Sequence, residues 1–134
     1  MTYLAELEVK SKQKNELVNI STEVQKAIHA SGVKEGICVV FVPHTTASVT
    51  VNENSDPDVP RDINLALSAI SPDRPEFRHD EGNSAAHTKT TLLGPSTTLI
   101  ISGGKLHLGV WQAIWFAEFD GPRTRKVLVR VLGE

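Results

Sequence analysis

The chain has 134 residues, with 14 Lys or Arg against 16 Asp or Glu and a net charge of -2. That length suits one domain over residues 1–134 around one core, and the lone Cys38 excludes an intrachain disulfide. The small negative charge gives no basis for a nucleic-acid or acidic-membrane partner; with no leader segment and no apolar run near about 18 residues, the expected compartment is the cytoplasm.

Residues 2–10 alternate as a strand should, with Tyr3, Ala5, Leu7 and Val9 toward a core and Glu6, Glu8 and Lys10 toward water; Leu4 breaks the pattern. A helix is expected from Ser21 or Thr22, capped by a hydroxyl, presenting Val24, Ala27 and Ile28 and stopping near Gly32. Residues 36–43 read as a strand buried on both faces, which makes Cys38 a buried, inert thiol. Thr45 to Asn52 follows as a second strand. Ala47, Val49 and Val51 share its apolar face; His44, Thr46, Ser48, Thr50 and Asn52 share a polar face without charge. A polar but uncharged face points to cover by a ligand or by another subunit.

Asp56-Pro57 opens a helix carrying Ile63, Leu65, Leu67 and Ile70. Residues 71–83 form a loop, and Ser84 is expected to cap a short helix from Ala85 to Leu93 that ends at Gly94. Thr97 to Ser102 is an apolar strand and Gly103-Gly104 a turn. Residues 106–119 fit a helical stripe as well as a strand; the local aromatics and the Asp120-Gly121-Pro122 turn before the strand at 126–132 favour strand. The expected fold is α+β: a two-layer arrangement of mixed or antiparallel sheet, with two to three helices over one sheet face.

Histidine is the class that stands out, with five residues in all. His79 and His87 would lie about 12 Å apart on a straight helix, too far to share a metal. Across a loop that folds back at Gly82 they can converge, and His44 is a natural third ligand. Three histidines with an open position make a zinc site, although imidazole also suits nickel, copper or iron. Glu53, Glu81 and Asp80 could orient the rings or serve as a general base, and Asn52 lies on the His44 side of its strand. Trp111 and Gln112, beside Gly109, could form the wall and floor of a small-molecule pocket, while His107 reads as a surface residue. Arg123 and Arg125 could hold a phosphate in forked geometry. The plainer alternatives are loop and cap histidines with single hydrogen bonds, a polar edge strand and a solvated hairpin. No P-loop, dinucleotide fingerprint or nucleophile elbow occurs.

Taken together, Pro43 to Pro57, Arg78-His79 with Glu81-Gly82, Ala86-His87 with Leu93-Gly94, Leu108 to Gln112, Glu118 and Arg123 to Arg125 resemble the YjbQ family over about residues 2–134. The resemblance implies an α/β domain that associates as a homotrimer, with a polar pocket near a subunit contact. It also implies a metal, often zinc, on His44, His79 and His87, and a secondary thiamine-phosphate-synthase activity. The segment between His79 and His87 is compact here, whereas some relatives carry a longer acidic stretch, so the pocket's shape is expected to differ.

With the resemblance added to these residues, the expectation is a metal-binding enzyme acting, as the resemblance implies, on a small phosphorylated heterocycle, in which Glu53, Glu81 and Asn52 supply catalytic groups and Trp111, Gln112, Arg123 and Arg125 bind substrate. Pyrophosphate release usually uses magnesium, and a three-His zinc suits hydrolysis of a small substrate more naturally. The alternatives are such a hydrolase, a non-catalytic binding module for a metabolite or metal, and a trimer whose histidines serve assembly alone.

Overall fold

A computed structural model describes all 134 residues. In chain order the elements are β1 (Thr2–Lys10), β2 (Glu16–Asn19), α1 (Ser21–Ser31), β3 (Gly36–Phe41), β4 (Ala47–Glu53), α2 (Asp58–Ile70), α3 (Ser84–Leu93), β5 (Ser96–Ser102), β6 (Lys105–Leu106), β7 (Gln112–Glu118) and β8 (Thr124–Gly133). They build two sheets, one of five strands in the order β1-β8-β3-β5-β6 and one of three in the order β2-β7-β4. Every pairing is antiparallel, so the fold is α+β with two antiparallel sheets and three helices. No helix is long and apolar enough to cross a membrane.

The main core lies between the inner faces of the two sheets and α1. It unites Val24 and Ile28 of α1, Val40 of β3, Val49 of β4, Phe116 of β7 and Val127, Val129 and Val131 of β8. The alternation read in residues 2–10 holds: β1 pairs along its length with β8, Val9 is buried and Leu4 stays exposed. A smaller cluster of Leu67, Ala86, Ala117 and Phe119 joins α2 and α3 to the other face of the three-stranded sheet. Gly103 and Gly104 both have positive φ, at 60° and 76°, as the two-residue hairpin joining β5 and β6 requires.

Several local expectations are corrected. Ser21 does not cap α1; its hydroxyl accepts the Ile114 N–H at 2.9 Å, tying the helix to β7. Ser84 makes no cap hydrogen bond either and is the first residue of α3, whereas the Asp56 carboxylate accepts the Asp58 N–H at 2.9 Å at the start of α2. The span 106–119 is not one strand. His107 to Trp111 form a loop closed by the Gly109 N–H donating to Gln112 Oε1 at 2.8 Å, and β7 begins only at Gln112.

The polar face of β4 is covered from within the chain in its first half, where α3 packs on it and the buried Ser48 hydroxyl donates to Thr90 O at 3.3 Å, whereas Thr50 is half-buried and Asn52 exposed. Strand β3 is buried on one face only. Cys38 and Val40 point into the core, whereas Ile37 and Phe41 are exposed. Leu4 at 50% exposure and Ile100 at 60% lie on this outer sheet face, as does Leu132, paired beside Ile37. Burial pushes the Cys38 thiol up to about 11, so it stays protonated and unreactive at neutral pH.

Candidate functional site

Polar side chains from five parts of the chain meet around a cavity of about 440 Å³ in whose lining Pro43 is the one apolar residue. The β3–β4 connection contributes His44, Thr45 and Thr46; the loop before α3 contributes His79, Glu81 and Asn83. His87 comes from α3, while Asp120 and Arg123 from the β7–β8 turn and Arg125 from β8 complete the walls.

His79 and His87 converge because the chain turns back between them. The Gly82 N–H donates to His79 O at 3.0 Å, and Gly82 sits at φ 72°, a left-handed conformation that costs a side-chain-bearing residue energy. The two imidazole rings end 5.4 Å apart between centroids and nearly perpendicular, at 77°.

His44 lines the same cavity, but its Nε2 accepts the Lys126 N–H at 3.0 Å. In the neutral ring the hydrogen therefore sits on Nδ1. Burial lowers the His44 pKa, and the nearby Arg125 charge lowers it further, so this ring favours its neutral form.

The cavity floor is an ion pair. Arg125 is buried and forks onto the fully buried Glu118, its Nε donating to Oε1 at 2.9 Å and its Nη2 to Oε2. Arg125 Nη2 also donates to Thr46 Oγ1 at 2.8 Å. Glu118 further accepts the Ser11 hydroxyl at 2.8 Å and the Asp120 N–H at 3.0 Å. Burial pushes the Glu118 pKa up, but these donors outweigh it and hold the carboxyl below its ordinary range. Arg125 Nη1 has no partner in the chain. Arg123 is more exposed, with its Nη2 on Asp120 Oδ2 at 3.0 Å and its Nε on Asp120 O at 2.8 Å. Asn83 donates to the same Asp120 carboxylate at 2.8 Å, which leaves its buried Oδ1 without a donor.

Four of the expected site residues lie elsewhere on the chain. Register sets Glu118 opposite Ala47 at one end of β4 and Gln112 opposite Glu53 at the other, about 20 Å away at about 3.3 Å per residue. Asn52 and Glu53 are therefore remote from the histidines, because strand parity chooses a face and not a depth along it. Trp111 is 55% exposed in the loop before β7, and its carbonyl accepts the Asn54 N–H. Gln112 spends its side-chain oxygen on Gly109. Asp80 is exposed and outside the cavity lining, and so is His107.

The family model described as UPF0047 protein YjbQ-like matches residues 5–134. The chain belongs to the YjbQ family. Among similar YjbQ-family proteins, the UPF0047 protein MJ1081 of Methanocaldococcus jannaschii is 50% identical over 98% of this chain and 95% of its own length. YugU of Bacillus subtilis is 41% identical, over 97% of this chain and 99% of its own. The crystal structure of a YjbQ/UPF0047-family protein from Clostridium acetobutylicum superposes with a TM-score of 0.93 at 49% identity, covering 96% of this chain and 99% of that one. A YbjQ-like protein from Sulfolobus solfataricus, 34% identical, superposes with a TM-score of 0.95 over 100% of this chain and 99% of its own.

The metal expected for a YjbQ-family chain meets a specific misfit. His79 and His87 stand as two imidazoles on one metal could, but His44 does not, because its Nε2 takes a backbone proton and its Nδ1 carries one. No group of three or more His, Cys, Asp or Glu comes together as a metal-binding cluster. The donor set as arranged is not a three-histidine zinc site.

Sequence reasoning also passed over Asp120 and Asn83 as parts of this pocket, and Glu118 as the support behind it. A readable signal existed for the floor. Arg125 stands in phase with Val127, Val129 and Val131, so a charge on the core face of β8 requires a buried partner.

Proposed function

We propose that this YjbQ-family protein is an enzyme acting on a small phosphorylated molecule held in the histidine pocket, with group transfer of the thiamine-phosphate-synthase kind as the first reaction to assay. The observation that carries the reading is the cavity itself: three imidazoles and two guanidinium groups around a largely polar space. The lining arginines are balanced by Asp120 and Glu81, with Glu118 behind, so the pocket offers hydrogen-bond donors and acceptors rather than a strong net field. Such a lining suits a ligand with an anionic end and an N–H end. Phosphate or pyrophosphate departure builds charge on the leaving oxygens, and the free donors of Arg123 and Arg125 would meet that charge. An imidazole can both donate and accept a proton through its ring nitrogens, which makes His79 and His87 the candidates for moving a proton to or from the reacting group. Glu81 is the carboxylate in the pocket that can act as a base beside them.

The experiment is an assay of thiamine phosphate formation, together with calorimetric titration of pyrophosphate, on the wild type, His87→Ala and Arg123→Ala. Activity and binding at least tenfold weaker in both variants are expected. Wild-type activity in His87→Ala would remove the pocket from the reaction.

A second reading, a divalent metal such as zinc, is favoured by the perpendicular His79–His87 pair. It requires the His44 ring to release Lys126. Metal analysis of the untagged protein tests it; less than one metal per three chains from metal-supplemented growth would sink it.

We also propose that the exposed apolar face of the five-stranded sheet is covered by further copies of the chain, in the homotrimer that the family resemblance implies. A row running Leu132, Ile37 and Ile100 across three strands is the support for that assembly.

A further inference from the structure

We infer that a second site, separate from the histidine pocket, binds a phosphate group between α2, α3 and the β1–β2 connection, centred on the Lys89 ammonium. Lys89 projects from α3 into a cavity of about 140 Å³, the space of four or five waters at roughly 30 Å³ each, which admits a tetrahedral oxyanion. Its side chain is 5% exposed, as deeply buried as much of the apolar core.

An ammonium in that position needs a counter-charge. None of the chain's ion pairs includes Lys89. Its partners are neutral: Asn15 Oδ1 at 3.0 Å, Ser68 Oγ at 3.1 Å and the Phe119 ring, whose centroid is 5.7 Å away. Those two oxygens use two of its three donors, and the third has no acceptor in the chain.

The rest of the lining completes an anion cradle. Lys14 brings a second positive charge, and Asp73 is the one carboxylate, so the formal charge around the cavity is +1. Asn83 stands between this cavity and the histidine pocket, lining both. Its buried, partnerless Oδ1 can accept a hydrogen bond from a protonated phosphate oxygen or from a water that rides on it. The placement does not depend on what the histidine pocket does.

The phosphate can be free inorganic phosphate or the end of a phosphomonoester whose organic part passes Asn83 toward the histidines. The probes are inorganic phosphate and glycerol 3-phosphate, titrated by calorimetry into the full chain. Arg123→Ala serves as the background, so that any contribution from the neighbouring pocket is reduced. Inorganic phosphate is expected to bind Arg123→Ala and to raise its melting temperature. Adding Lys89→Met should weaken that binding at least tenfold and abolish the thermal shift, while Lys89→Arg should retain part of both. Glycerol 3-phosphate competing for the same site identifies the ester as an accepted source; binding of inorganic phosphate alone identifies the free ion.

The Lys89→Met chain is expected to fold, because Met replaces a buried charge that has no direct ion-pair partner by an apolar side chain of similar length, and its unligated melting temperature verifies this. If Lys89→Met does not fold, Lys14→Ala, at the cavity edge, must weaken phosphate binding severalfold. No phosphate binding to Arg123→Ala, or binding unchanged by loss of Lys89 or Lys14, overturns the assignment.

Discussion

Glu118 and Arg125 form a two-point ion pair between strands of different sheets: Glu118 ends β7 in the three-stranded sheet, and Arg125 lies near the start of β8 in the five-stranded one. The pair therefore joins the two sheets directly beneath the histidine pocket. Because both side chains are almost fully buried, removing one partner leaves a buried charge without its two-point counter-ion.

Glu118→Leu should lower stability by about 3–5 kcal/mol, measured by urea unfolding, because the Arg125 guanidinium is left buried and uncompensated. The double variant Glu118→Leu with Arg125→Leu should regain much of that loss, since two apolar residues carry no desolvation penalty. If the single and double variants are equally unstable, the pair is not what holds this junction.

His44 should make the fold sensitive to mild acid. Its pKa in the folded chain is lowered from 6.5, so the unfolded state binds the proton more readily. The associated stability is present above about pH 6.5 and declines as pH falls through the lowered value. Wild-type stability should thus drop between pH 7 and pH 5 more steeply than that of His44→Gln, which lacks the titrating ring. Parallel pH profiles for the two proteins would contradict the half-buried, neutral His44.

Gly82→Ala should cost about 1–2 kcal/mol through backbone conformation alone. A Cβ there meets no atom within 4 Å, so sterics add nothing beyond the positive φ. Gly82→Asn should cost less, because Asn tolerates the left-handed region. If the turn is what brings His79 to His87, activity should follow the same order, with Asn closer to wild type than Ala.

Ile100→Lys on the outer sheet face should leave the monomer's core intact, since this side chain is 60% exposed, yet disrupt self-association. Light scattering after size exclusion should show the wild type as a larger species and the variant as a smaller one. A wild-type monomer would dismiss the proposed cover.

Short-range chemistry made parts of this molecule readable in advance. The alternation of β1, the hairpin at Gly103-Gly104 and the end of α1 at Gly32, where φ is 75°, depend on neighbouring residues alone. The meeting of His79 and His87 belongs partly to this class, because Gly82 marks where the chain can reverse. Strand β2 went unread: its four residues, Glu16–Asn19, are too short to show a period and become a strand by pairing with β7. The doubly apolar reading of β3 was right about composition and wrong about cover, since hydrophobicity does not say whether a face meets the chain's own core.

Local pattern thus determined an α+β chain with its strands, turns and a histidine-rich segment able to fold on itself, because those features follow from side-chain period and φ preference over a few residues. Tertiary structure alone decided that Arg125 would spend most of its fork on Glu118, that His44 would take the Lys126 proton, and that Asn52, Glu53, Trp111 and Gln112 would stand a strand's length from the pocket. Which groups meet depends on sheet register and on the packing of one sheet against the other, and those are set by the whole core at once.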